Sequence, residues 1–419
     1  MSHDSIIQWR QIATNNIVDY QPALHTLFMW VITRISFSPA LIAIVQIFIL
    51  ALSAGWFLKN IHNWGVSKVW IWTAAIIVAC SPINIVLSIT IWKDIPYTAI
   101  ILIISGFMFL INSEKLENII LKKWNLIFLG ILFSLAALFR WNGVIVSLSC
   151  IICITVFTRR WISTAYIFAV FLAIVFTVRG PVFSLLNIHT SDYIFYTLPL
   201  HHMGAFISED VEFSEKEEVF LNQIAPLEDN WEYDCHAIRK AFGPTLGDNL
   251  IYNKSFLIEN GKRFLNLYFK TLINNPVIYL NHLRCSAEFI WYPWASMERM
   301  QLKTVGGIRW IPYENEFGIK SDSKIPYFVN PVTKIIKATI FIWQPSLFLW
   351  LSVGVLLISF FYKKDKLILL FIPLLSQSIG IALLTNSQEF RYQYPVVFIG
   401  HFIWLILLKK NKVNKIKGI

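Results

Sequence analysis

Apolar runs long enough to cross a bilayer recur from residue 38 to the C-terminus, and they leave few folds open. They fall at 38–58, 69–84, 95–112, 125–139, 143–158, 162–178, 338–361, 367–385 and 393–409. A hydrocarbon layer about 30 Å thick takes roughly 17–25 helical residues to cross. In lipid every backbone N–H and C=O needs an internal partner, so such runs form helices or a closed barrel. These runs are continuously apolar and do not alternate, which predicts helices. The expected fold class is an all-α polytopic membrane protein with about nine transmembrane helices. Composition agrees: 56% of residues are hydrophobic, above the roughly 45–50% of soluble domains.

Orientation follows from lysine and arginine. The net charge is +11, and its carriers sit in short clusters between apolar runs, at 122–123, 159–160, 363–366 and 409–417. That is the positive-inside pattern, and it argues against a nucleic-acid partner; the partners it implies are membrane lipids. The loops 59–68, 113–124, 158–161 and 362–366 and the C-terminal tail read as inside. Segments 1–37, 85–94, 140–143, 179–337 and 386–393 then face outward. The domain reading is 1–37 as an outward loop and interfacial helix, 38–178 as six spans, 179–337 as an inserted extracytoplasmic domain, and 338–419 as three spans with a basic tail.

Two places need a physical decision. Residues 125–158 resemble one long helix, but Arg140, Asn142 and Gly143 stand in its middle. An arginine at mid-bilayer costs about 3 kcal/mol on insertion scales, so a hairpin with an outward turn is expected. Residues 22–36 are too short to span. They begin with Pro22 and carry Phe28 and Trp30, which predicts an interfacial helix. In the insertion, 205–260 is acidic and loop-rich, and helical spacing of Phe264, Leu267, Tyr268 and Leu272 predicts a helix. Asn275 and Pro276 start another. Of the five cysteines, Cys80, Cys150 and Cys153 lie in apolar runs and read as small hydrophobes. Cys235 and Cys285 fall in the insertion, where a disulfide is open to them outside the cytoplasm. His201 and His202 lack a third partner at metal-ligand spacing, so no metal is assigned there.

Chemistry-bearing residues outside the insertion collect on the outward side: Asp4, Asp19, His25, Lys93, Asp94, Arg140, Glu389 and Arg391. Carboxylates and cations at one membrane face suit a substrate with an anionic headgroup and a lipid tail. Arginine and lysine would hold phosphate oxygens, and a carboxylate would accept a proton from a hydroxyl. All but Arg140 have a plainer reading: Asp4 would be a solvated residue at a frayed terminus. Asp19 serves as a cap for the helix near Pro22, His25 packs, Lys93 snorkels, Asp94 is a counter-ion to Lys93, and Glu389 pairs with Arg391.

The order "DSIIQW … DYQPALHTLF", "SPINIVLSITIWKDIPYTA", "LAALFRWNGVIV" and "EFRYQYPVVF" resembles integral-membrane glycosyltransferases of the GT-C superfamily. The likeness is to bacterial members using polyprenyl-phosphate sugars, relatives of protein O-mannosyltransferases and of the aminoarabinose transferases of lipid A. It covers the membrane part in order and does not reach 179–337. The resemblance implies a polyprenyl-phosphate-sugar donor and a glycan, glycolipid or protein acceptor. It places the chain in the cytoplasmic (inner) membrane with its active site facing out. Asp4 would be the general base, with Asp19 as a second catalytic carboxylate. Lys93, Asp94, Arg140, Arg391 and His25 would bind substrate, and a single displacement would invert the sugar carbon. Position 5 is Ser where several relatives have Glu, so the acidic pair that would hold a metal is absent; a divalent cation is left open, with Asp19 or a group elsewhere as its ligand. Those families carry a spanning helix before the catalytic loop. Either such a helix ahead of Met1 or a translocated free N-terminus is therefore expected. The rival readings are an O-antigen-type polymerase or ligase, and a flippase or transporter. A transporter is expected to show mid-bilayer charges and broken helices, and the sequence displays neither.

Overall fold

The computed structural model describes residues 3–112, 122–190, 194–228, 231, 233–237, 252–295, 331, 334–335, 338–361 and 367–409. The basic stretch 363–366, most of the tail and the segment 306–318 lie outside the described residues. Among the described residues the chain is helical, with two isolated bridges and no strand. Among the described residues, four helices are long and apolar enough to cross a membrane: Pro39–Asn63, Asp94–Ile111, Trp161–Leu185 and Phe390–Leu408. A bent pair, Lys68–Cys80 with Pro82–Ile89, makes a fifth. Apolar helices of 10–17 residues fill the remaining runs.

The opening stretch is itself folded, where a loop was expected. Helix α1 (His3–Ala13) has Asp4 in its first turn, where the helix dipole favours an acid. Ile6, Trp9 and Ile12 are buried while Arg10 and Ala13 are exposed, the one-sided burial of an amphipathic helix. Trp9, Met29, Ile32, Ile42 and Ile91 form one cluster. That cluster docks α1 on α2 (Ala23–Thr33) and α3 (Pro39–Asn63). Ser5 is wholly buried and donates its hydroxyl to the Ile91 carbonyl. Its role here is to fasten α1 to the strap ahead of Lys93.

The run expected as one span at 69–84 is broken. Helix α4 (Lys68–Cys80) stops at Ser81, which is extended (φ −65°, ψ 119°). Pro82 then starts α5 (Pro82–Ile89) at a bend of 62°. A residue before proline is pushed out of the helical region, so the dipeptide itself makes the break.

Helix α6 (Asp94–Asn112) is the hub. It packs against α3, against α7 (Lys123–Phe139), and against α17 (Ile368–Leu384) and α18 (Tyr394–Ile403) near the C-terminus. Its spanning window is 83% buried, whereas that of Trp161–Leu185 is 17% buried. Their mean hydropathies are close, 2.0 and 2.2, so burial separates the central helix from one with a free apolar face. Helix α8 (Gly143–Thr158) packs on α7 and α17, and α9 (Trp161–Thr177) on α7. The α7–α8 hairpin expected from Arg140 is present. Gly143 is required there, because a Cβ would overlap the carbonyl of Ala136.

A second core joins α10 (Ile194–Ser208), α11 (Glu215–Ile224), α12 (Lys254–Glu259) and α13 (Gly261–Asn274) through Met203, Phe206, Phe220, Leu221, Trp231 and Phe264. Helix α14 (Pro276–Ser286) and the short α15 (Glu288–Trp291) lead back to α17 and to α16 (Pro345–Phe361). Here Trp291 donates to the Arg284 carbonyl at 3.1 Å, and Trp350 to the Trp291 carbonyl at 2.8 Å.

Candidate functional site

The N-terminal end of α6 is the meeting point. The α7–α8 turn, the 3-10 turn Phe390–Gln393, the strap before α6 and the first turn of α1 converge there. Four charged residues expected from the sequence, Asp4, Asp94, Arg140 and Arg391, are thereby joined in ion pairs, and Lys93 lies among them.

Arg391 Nη1 stands 2.6 Å from Asp4 Oδ2, and its Nε stands 2.5 Å from Glu389 Oε2. The guanidinium also lies over the Trp92 ring at 4.8 Å and the Tyr392 ring at 5.5 Å. The Glu389 pairing weighed from sequence is therefore real, and it coexists with the bond to Asp4. Lys93 meets the Gln21 side-chain oxygen. The charges acting on it are those of Asp4, Arg391, Arg140 and Glu389. Burial pulls its ammonium down to about 7, with Asp4 opposing.

Arg140 is paired with Asp94. Its side chain is 7% exposed and that of Asp94 0%, so this turn is buried and not the open surface turn expected. Asp94 answers Arg140, where the sequence suggested Lys93. Being wholly enclosed, it positions Arg140 and is out of reach of a ligand in this arrangement. Arg140 Nε donates to Asn142 at 3.0 Å, and the guanidinium lies 4.7 Å over the Tyr392 ring. Behind it, Asn142 and Tyr97 both donate to Gln377 Oε1, at 2.7 and 2.6 Å, and Gln377 donates to the Tyr392 carbonyl at 2.8 Å. This uncharged brace ties α6, α8 and α17 to the 390–393 turn.

Asp19 sits to one side. Its Oδ1 accepts the Ala23 N–H at 2.7 Å, so it serves the first turn of α2, the capping role weighed from sequence. Its Oδ2 is buried with no hydrogen-bond partner among the described residues. Burial raises its carboxyl above the usual range, while Arg179 and Lys93 pull it back. Arg179 itself lies 4.1 Å over Trp141. His25 is fully buried: Nδ1 meets Gln8 Oε1 at 2.9 Å, and the ring lies near Phe28 and Phe139. Phe28, expected in the headgroup zone, thus packs inward. His25 feels the charges of Lys93 and Asp4, so it borders the cluster as a packed residue.

Sequence reasoning assigned no role to Gln21 or Tyr392 and passed over Trp92, Arg179 and Gln377 as members of this neighbourhood. The aromatic residues next to Lys93 and Arg391 are a usable signal, since guanidinium groups seek aromatic faces. Gln377 lies in the middle of an apolar run, and such a polar residue is a functional pointer by default.

A divalent cation does not fit the charge cluster. Its carboxylates alternate with arginine and lysine. Among the described residues, only Cys235, His236 and Cys285 bring three potential ligand atoms within 4.8 Å of one another. Cys235 and Cys285 are joined as a disulfide with a Cα–Cα separation of 5.9 Å. His201 and His202 do have a spatial third partner, His282, with ring centroids 4.6 and 4.9 Å away. The three pack ring to ring. His201 meets the Asp234 carbonyl at 2.9 Å, His202 the Tyr268 hydroxyl at 2.8 Å, and His282 the Tyr233 hydroxyl at 2.6 Å.

Comparison with protein-family models, with curated proteins and with solved structures finds no match to this chain.

Proposed function

We propose that this chain is an integral-membrane glycosyltransferase of GT-C type. In this reading about nine spans hold the cluster at the outer face of the cytoplasmic membrane, and 179–337 is an extracytoplasmic insertion. A sugar passes from a polyprenyl-phosphate carrier to a cell-envelope glycan, lipid or protein. One observation carries the reading. Asp4, Lys93, Arg140 and Arg391 come from four separate segments and meet at one end of the central helix.

The arrangement suggests how binding and chemistry connect. Arg391 serves two carboxylates, Asp4 and Glu389. A donor phosphate competes for the same guanidinium, since arginine takes phosphate and carboxylate alike. Phosphate displacing Asp4 leaves Glu389 to hold Arg391 in place and releases the Asp4 carboxylate. The freed carboxylate takes the proton of the acceptor hydroxyl. That oxygen attacks the sugar carbon as the carrier phosphate departs, and Lys93, Arg140 and Arg391 stabilise the departing charge. The base is thus held idle until the donor arrives.

A second reading has its own observation. The break between α4 and α5 is the kind of discontinuous helix found in secondary transporters. Isolated membranes supplied with labelled polyprenyl-phosphate hexose separate the two. Consumption of the carrier-linked sugar with label appearing in an acceptor supports the transferase. Movement of intact donor across the bilayer without consumption supports the flippase and overturns the transferase.

A further inference from the structure

Cys235, His236, Cys285 and Glu288 gather where α10, α14 and the 386–393 loop meet, apart from the charge cluster. His236 has its two ring nitrogens in different surroundings. Nδ1 is 3.0 Å from Asp234 Oδ1 and 3.4 Å from Cys235 Sγ. Nε2 is 3.6 Å from Cys285 Sγ, 3.8 Å from Cys235 Sγ and 3.4 Å from Glu288 Oε2. A histidine oriented by a carboxylate on one nitrogen, with the other aimed at donors, is the usual arrangement of a metal-ligating imidazole.

The spacings carry the argument further. With Zn–S near 2.3 Å and Zn–N near 2.1 Å, a tetrahedral site has sulfur–nitrogen edges of about 3.6 Å and nitrogen–oxygen edges of about 3.3 Å. The Cys285 sulfur–nitrogen separation and the nitrogen–oxygen separation match those edges, while Cys235 Sγ lies beside the ring, nearer Nδ1. Two sulfurs, an imidazole and one carboxylate are a soft to borderline donor set, suited to zinc or cobalt and unsuited to magnesium or calcium. The side chains of His236 and Glu288 are 20% and 22% exposed, so solvent, an ion and a reductant all reach them.

We propose that Cys235, Cys285 and His236 form the core of a zinc-type site, filled when the Cys235–Cys285 bond is reduced, with Glu288, which meets His236 Nε2, turning in as the fourth ligand. A dithiol reductant attacks one sulfur and the S–S bond breaks. Two electrons pass to the cysteine pair, and the reductant leaves as its own disulfide. The ion then takes both sulfurs as thiolates, releasing two protons to solvent, with neutral His236 bound through Nε2 and the Glu288 carboxylate as fourth ligand. The sulfurs move apart to about 3.8 Å, the sulfur–sulfur edge of the same tetrahedron.

Either closure does the same mechanical work. The Gln388 N–H donates to the His236 carbonyl at 3.0 Å, and its side chain donates to the Cys285 carbonyl at 2.9 Å. Ala237 also bridges Ser387. The loop that carries Glu389 and Arg391 is therefore anchored on this site. A disulfide in oxidising surroundings and a bound ion in reducing ones both keep that anchor. The proposal stands on these ligands alone and is independent of the glycosyltransferase reading.

The test uses the purified full chain in detergent with Co²⁺ as probe. A phosphine reduces the disulfide, taking up oxygen from water as the bond breaks. After its removal without air, Co²⁺ is titrated in and the visible spectrum recorded. The expected result is one ion per chain, with sulfur-to-cobalt charge transfer and intense tetrahedral bands that disappear on adding Zn²⁺. The oxidised protein shows neither. Cys285→Ser loses the bands, Glu288→Gln keeps the charge transfer but shifts the visible bands, and Asp234→Asn weakens affinity about ten- to a hundredfold. Reduced protein that gives no bands, while a disulfide dye reports both thiols free and tryptophan fluorescence reports a folded chain, overturns the proposal. So do bands that survive Cys285→Ser but vanish in Cys153→Ser.

Discussion

Arg391 holds Asp4 across nearly the whole length of the chain, Nη1 to Oδ2 at 2.6 Å, while the same guanidinium holds Glu389 at 2.5 Å. One cation thus answers two carboxylates from opposite ends of the sequence. The two partners are unequal. Glu389 is two residues away on the same turn, and Asp4 arrives on a separate helix.

Removing the shared cation is therefore worse than removing either acid. Arg391→Gln removes the shared cation from two largely buried carboxylates and is expected to cost about 3–5 kcal/mol, the usual penalty for breaking a buried ion pair. Asp4→Asn is expected to be milder, because Glu389 still answers Arg391 and the Asp4 side chain is 20% exposed. Thermal unfolding in detergent, followed by tryptophan fluorescence, ranks the two. Equal losses would contradict this division of labour.

Asp94 and Arg140 form a more enclosed pair. Asp94→Ala alone is expected to destabilise by about 3–5 kcal/mol, since Arg140 is left buried without its partner. Pairing it with Arg140→Met is expected to restore much of that loss, because an apolar pair of similar volume has no charge to bury. A double-mutant cycle on unfolding free energy checks this. Additive losses would show that the two side chains do not act as a unit.

Gly143→Ala is expected to destabilise by about 1–3 kcal/mol, the range for forcing extra volume into a packed site, because its Cβ would meet the Ala136 carbonyl. The same change at Gly354, which has open space around it, is expected to be tolerated. Unfolding midpoints of the two variants make the comparison.

The histidine trio predicts an acid-sensitive second core. Burial lowers all three, His202 to about 3 and His282 to about 2. Each stays neutral when folded and takes a proton near 6.5 when unfolded. The unfolded state then binds more protons, so stability rises with pH in this window. The contribution is complete above about pH 6.5 and falls by about 1.4 kcal/mol per pH unit for each of His202 and His282 as pH drops below it, with His201 acting in the same direction. His282→Gln is expected to flatten the profile between pH 6.5 and 5, measured by unfolding midpoint. An unchanged slope would contradict the assignment.

Much of the helical architecture was legible because bilayer-length apolar runs allow few alternatives. The break at Ser81–Pro82 was signalled by the proline but hidden by the uninterrupted apolarity around it. The opening stretch was misread as a loop because its mean polarity is high. Its pattern of Ile6, Trp9 and Ile12 already marks one buried helix face. The charged residues of the site were legible as types on one side of the chain, since charges are rare among apolar runs. Their pairing was legible only for Glu389 with its near neighbour Arg391; whether Asp94 answers Lys93 or Arg140 depends on how α6 meets the α7–α8 turn. Nor did local sequence offer any sign that Gln377 braces Asn142, because the two lie on helices that meet only in the assembled bundle.

The role of Asp4 is the central claim, and one measurement tests it most directly. Labelled polyprenyl-phosphate hexose is supplied to membranes carrying the wild-type chain, Asp4→Asn or Asp19→Asn at matched expression, and both bound donor and transferred sugar are counted. The account predicts that Asp4→Asn loses transfer by about a hundredfold or more, the scale of a missing general base. It also predicts that this variant retains donor at least as well as wild type, because Arg391 is relieved of a competing carboxylate. Transfer in Asp4→Asn equal to wild type, or donor retention that falls along with transfer, would contradict it.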